Sequence, residues 1–178
     1  MKVFEKVVHR QVTDFSDENH LLSNSQSGIR NCHSTDTAVT CVSDYILSEL
    51  SEGKHVCAVL IDLKKAFDTV DHQILLKILF CYGFRDMSFG WFQSYLSNLM
   101  QCTLFNEVTS DLTREHPFGV PQDSVLGPLL FLIYINDVEQ TIDSDPTFLI
   151  LYADDKILIQ SSKAVSYTHL TLPTILLV

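Results

Sequence analysis

The run Val59-Leu60-Ile61-Asp62-Leu63-Lys64-Lys65-Ala66-Phe67-Asp68 is apolar as far as Ile61 and then turns abruptly ionic. Later in the chain, Leu151-Tyr152-Ala153-Asp154-Asp155 repeats the pattern, an apolar segment closed by acids. A carboxylate at the end of a buried strand is costly unless the chain turns there to show it to water or a cation. Two strand ends carrying acids make the arrangement that a two-metal nucleotidyl-transfer site requires. A lone Asp-Asp is most often a solvated turn. The second acid, at a separate strand end, shifts the balance.

The chain has 178 residues and is 46% hydrophobic, enough to bury a sizeable core in one domain or slightly more. No apolar stretch reaches the roughly 18–20 residues of a membrane helix, and no signal peptide opens the chain, so a soluble intracellular protein with no membrane partner is expected. The five cysteines, Cys32, Cys41, Cys57, Cys81 and Cys102, show no paired metal spacing and are expected to be reduced and mostly buried. The formal net charge of −10 runs against nucleic-acid binding by this stretch alone, because such proteins offset phosphate with a basic surface.

Apolar residues at 3, 4, 7, 8, 12 and 15 predict an amphipathic helix over 3–15, followed by a polar loop over 16–33. Ser34-Thr35-Asp36 starts a helix that ends at Gly53. Residues 55–61 predict a central strand buried on both faces, with Asp62 at its C-terminal end. Helices are expected over about 71–80 and 89–96, and strands over 100–105 and about 115–120. Within 124–138 a core helix begins after Gly127-Pro128, and 148–153 with 157–160 form a hairpin carrying Asp154 and Asp155. The class is α+β.

Four segments carry a family resemblance. The sequence from Leu60 to His72 resembles the first palm motif of reverse transcriptases of non-LTR (LINE-like) retrotransposons, and Tyr152-Ala153-Asp154-Asp155 resembles their catalytic hairpin. Gly119-Val120-Pro121-Gln122-Asp123-Ser124-Val125-Leu126-Gly127-Pro128 is similar to the segment that positions template and nucleotide, and Gln26-Ser27-Gly28-Ile29-Arg30 to the fingers motif. The resemblance implies a right-hand polymerase: fingers over 1–54, palm over 55–163 with a second fingers segment at about 84–118, and no thumb. It implies an RNA-directed DNA polymerase that uses two magnesium ions, or manganese, with dNTPs, a DNA primer and an RNA template, inside a larger retrotransposon polyprotein of the cytoplasm or nucleus. By the same resemblance Asp62, Asp154, Asp155 and the Leu63 carbonyl would hold the metals. Phe67 would lie against the nucleotide sugar, where a 2′-hydroxyl would clash. Arg30 would meet phosphate, and Gln122 and Asp123 would border the nucleotide.

Asp123 departs from the family glycine and brings bulk and negative charge towards a triphosphate. Lys156 and Cys32 also replace the usual residues. Residues 164–178 are expected to lack a family counterpart, and Val165-Ser166-Tyr167-Thr168-His169-Leu170 matches the translation of a transposase sequencing adapter, so this tail is expected to be artefactual. The alternative is a decayed palm that acts at most as a non-catalytic RNA- or protein-binding module. A two-metal nuclease would need a water-activating His or Glu beside the acids, and none is evident.

Overall fold

The computed structural model describes residues 2–30, 33–97, 104–106, 108–109, 117–121, 123–141 and 147–163. Among them no helix is long and apolar enough to cross a membrane. The chain divides into two compact units, one of Met1–Leu22 with Lys64–Asn136 and one of Ser23–Leu63 with Asp137–Val178.

The first unit is helical. Helix α1 (Lys2–Glu18) runs past the expected end at residue 15 and buries Glu5, Val12 and Ser16. The 3₁₀ turn Ala66–Asp68 leads to α3 (His72–Cys81), whose N-cap Asp71 accepts from the amides of Gln73 and Ile74 at 2.8 and 3.0 Å. Gly83, with φ +102°, lets the chain leave α3 towards α4 (Asp86–Leu96). Helix α5 (Gly127–Ile135) is apolar all round and correspondingly buried, with Pro128 in its first turn. Burying Leu129, Leu130, Phe131, Leu132 and Ile133 contributes about 1.5–3 kcal/mol per side chain. Phe84 joins α1 to α4 through ring contacts with Phe15 at 4.9 Å and Phe92 at 5.3 Å.

Of the strands expected over 100–105 and about 115–120, the described part of the first, Leu104–Phe105, is strand β2, and 117–120 form no strand. Strand β2 pairs with β3 (Val108–Thr109), the chain reversing at Asn106, which has φ 47°. Residues 100–103, 107 and 110–116 lie outside the described residues. Phe118 makes only an isolated bridge to Asp71.

The second unit is a helix against an antiparallel sheet. Helix α2 (Thr35–Ser51) begins in a capping box: Ser34 Oγ accepts the Thr37 amide at 3.2 Å, and Thr37 Oγ1 accepts the Ser34 amide at 2.9 Å. The sheet order is β1 (His55–Asp62), β5 (Asp155–Ser162), β4 (Thr147–Tyr152). Tyr45 of α2 stacks on Phe148 of β4, with centroids 4.3 Å apart. Strand β1 is therefore an edge strand among the described residues, not a central one, and Leu60 is 77% exposed. Apolar composition suits a covered edge and a buried centre equally, and α2 lies across β1 and β4 without enclosing the outer rim of β1.

Two further expectations change. Within the supposed polar loop, Gln26 is buried and bridges in parallel to Leu151, because Ser25 and Ser27 exchange backbone hydrogen bonds with that residue. Cys41, Cys57 and Cys81 are free thiols but exposed, since they fall on the outer sides of α2, β1 and α3. Cys32 and Cys102 lie outside the described residues.

Candidate active site

The register of β1 on β5 runs from His55↔Ser162 to Asp62↔Asp155, so the first acid stands directly across the ladder from the last. Across β4 and β5 the closing pair is Tyr152↔Asp155, which leaves Ala153 and Asp154 as a two-residue turn. Ala153 takes φ 54° while Asp154 stays on the negative side, the pattern of a type II′ hairpin. Glycine usually fills that first position, so alanine holds a strained turn beside the acids.

Asp62 and Asp155 are exposed and Asp154 is half-buried. Among the described residues no ion pair forms with any of the three, and the lysine that follows them, Lys156, is 5% exposed with its charged form disfavoured by burial. No three acidic, histidine or cysteine side chains among the described residues are gathered into a ready-made metal cage. The donor set nonetheless fits magnesium, which takes hard carboxylate oxygens from one or two residues and leaves positions for substrate phosphate. Beside Asp62 and Asp155 opens a groove of about 430 Å³ with apolar walls that include Val39, Val42, Leu60 and Ile150. Such walls lower the local dielectric and strengthen the pull of the acids on a cation.

Leu63 follows directly on β1 and is half-buried. Arg30 Nη1 donates to the carbonyls of Ser23 at 2.7 Å and Gln26 at 3.4 Å, which orders its own loop.

In the helical unit, the half-buried ring of Phe67 packs on Phe131 with centroids 4.5 Å apart. The segment after it is tied to the loop at 119–127. Gly119 N donates to Val70 O at 2.8 Å and Val120 N to Phe67 O at 2.9 Å, while His72 Nε2, as its N–H tautomer, donates to Gly119 O at 2.6 Å. Gly119 has φ +89°, and a Cβ there would lie 3.1 Å from the Asp68 carbonyl oxygen. Ser124 Oγ donates to Pro121 O at 2.7 Å and accepts from Gly127 N at 2.8 Å. Asp123 is exposed and left-handed, with φ 59°, a conformation glycine adopts freely. Gln122 lies outside the described residues.

The contacts of two residues escaped the sequence reading. Glu5, 2% exposed, accepts the Val125 amide at 2.8 Å and so anchors this loop to α1. Its signal was an acid two helical turns before Val12, on the same side of the helix. Gln26 carries its side-chain oxygen to Ala153. Nothing local announced it, because its partner is distant in sequence.

A family model described as reverse transcriptase (RNA-dependent DNA polymerase) matches residues 1–176. The chain is 32% identical over 169 residues to the probable RNA-directed DNA polymerase from transposon BS of Drosophila melanogaster, covering 90% of this chain and 18% of that protein. It is 30% identical over 158 residues to the probable RNA-directed DNA polymerase from transposon X-element of the same species, covering 86% and 17%. Against the RNA-directed DNA polymerase from mobile element jockey the identity is 25% over 174 residues, covering 92% and 18%. The chain thus spans less than a fifth of the length of these curated relatives.

Proposed function

The chain belongs to the reverse transcriptase (RNA-dependent DNA polymerase) family, and from that premise we propose that it contributes the fingers and palm of an RNA-directed DNA polymerase acting on a primed RNA template. In this reading fingers span 1–54 and palm 55–163, with a second fingers segment at about 84–118. The observation that carries it is the Asp62↔Asp155 pairing beside the Asp154 turn.

Asp62, Asp154, Asp155 and the Leu63 carbonyl would hold magnesium. When bound, two such ions activate the attacking hydroxyl and stabilise the leaving oxygen in an in-line displacement. The primer 3′-hydroxyl attacks the α-phosphorus of a dNTP, and pyrophosphate leaves. The carboxylates supply negative charge at one end of the ladder, the strained turn fixes where Asp154 is presented, and the braced loop at 119–127 holds a backbone surface for nucleotide and template. Phe67, Arg30 and Gln122 are proposed as nucleotide or template contacts.

The test is extension of a DNA primer on poly(rA) with magnesium. Incorporation by this chain that disappears in Asp154→Asn supports the reading; incorporation of equal rate in the variant overturns it. A second reading, a non-catalytic palm-like domain that binds RNA or protein, is favoured by the carboxylate of Asp123 at a left-handed loop position. It predicts no extension by the wild-type chain and restored extension in none of the single variants.

A further inference from the structure

The segment Ser25–Gly28 grips the catalytic hairpin from the side opposite β5. Ser27 N donates to Leu151 O at 2.7 Å, and Leu151 N donates to Ser25 O at 2.8 Å, which sets the segment parallel to β4. Between these bonds Gln26, 1% exposed, turns its amide towards the turn. Its Oε1 accepts from Gly28 N at 2.8 Å and from Ala153 N at 3.3 Å. Gly28 presses so closely that a Cβ would lie 2.3 Å from Ala153 N and 2.9 Å from the Tyr152 carbonyl carbon.

Among the described residues, the buried Nε2 of the same amide has no acceptor. A buried donor without a partner costs stability, and an apolar side chain of similar length would avoid it. What the amide supplies and an apolar chain lacks is an acceptor for Ala153, the left-handed residue immediately before Asp154. We infer that Gln26 is a positioning residue: its carbonyl oxygen pins the Ala153 amide and thereby fixes the direction in which the turn presents Asp154. The clamp is independent of any chemistry; its effect on turnover rests on the reading of Asp154 proposed above.

The test joins amide exchange to kinetics in the 178-residue chain. In the wild type, the Ala153 amide should exchange as slowly as the ladder amide of Leu151, although it lies in a turn; rapid exchange there would overturn the inference without any variant. In Gln26→Met, Ala153 should exchange about tenfold faster while the amides of Ile157 and Ile159 keep their protection. Primer extension should lose about tenfold or more in kcat with KM for dNTP nearly unchanged, because geometry rather than binding is disturbed. Gln26→Leu serves where Met fails to fold. Uniformly faster exchange across β1 and β5 would reduce Gln26 to a core residue, and an unchanged kcat beside loosened Ala153 would deny it a positioning role. If the wild type extends no primer, the proposed function fails and exchange alone still decides whether the clamp exists.

Discussion

Asp62 and Asp155 are cross-strand partners at the end of the β1–β5 ladder, with no basic side chain paired to either among the described residues. Like charges directly opposite one another destabilise a sheet. Asp62→Asn should therefore raise the thermal midpoint when divalent ions are chelated. Added magnesium should raise the midpoint of the wild type and leave the variant unmoved, since only a ligand-binding native state gains stability. Equal magnesium responses in differential scanning fluorimetry would show that Asp62 holds no ion.

Ala153 carries a left-handed backbone without the excuse of glycine. Ala153→Gly should stabilise the chain by about 1 kcal/mol, measured by urea unfolding, because the strain on Cβ disappears. Relaxing the turn should at the same time lower kcat in primer extension, the trade expected where strain presents a working group.

At Asp123 the left-handed φ and the charge act together. Asp123→Gly should leave stability nearly unchanged, because aspartate tolerates this conformation while glycine costs chain entropy. Single-nucleotide incorporation should rise, since a carboxylate no longer faces a polyanion. Identical rates would mean that the loop accommodates the acid.

Glu5 separates two kinds of loss. Glu5→Ala strands the Val125 amide and should cost about 1–3 kcal/mol in urea unfolding, whereas Glu5→Gln keeps an acceptor and should cost much less. Matching losses would point to the negative charge instead of the hydrogen bond.

One contribution to the pH response lies where α2 gives way to β1. Lys54 Nζ lies 2.8 Å from Glu49 and 2.9 Å from Glu52, and Glu49 also accepts from Ser161. Hydrogen bonding to Lys54 first, and to Ser161 next, holds the Glu49 carboxyl below its ordinary value; Glu49 and Glu52 raise Lys54. The unfolded chain therefore takes up a proton at Glu49 more readily than the native one. That part of the stability is complete above the ordinary glutamate range and is lost as pH falls through the lowered native value. The Lys54 share is complete below the ordinary lysine range and is lost as pH rises through the raised native value. Lys54→Met should flatten both limbs of the midpoint-against-pH curve.

The residues whose meaning is local were legible. Ser34 and Asp71 announce helix starts by side-chain chemistry, the run from Leu129 to Ile133 announces burial by being apolar on every side, and the acids announce strand ends by the cost of hiding them. Properties that depend on a distant partner were not. Leu60 has the composition of a buried strand residue, yet its exposure depends on which strands lie beside β1. Gln26 reads as a loop amide until Ala153 is placed next to it. The two-residue strands at Leu104 and Val108 are too short for any periodicity to declare them.

Ser25 and Ser27 occupy the outer margin of β4 at Leu151, where they take up both of that residue's outward backbone groups. The opposite flank, His55–Asp62, meets no second strand among the described residues. Unwanted stacking of copies during overproduction is thereby favoured at this rim, where an incoming strand would find an unpaired backbone edge and a greasy Leu60 side by side.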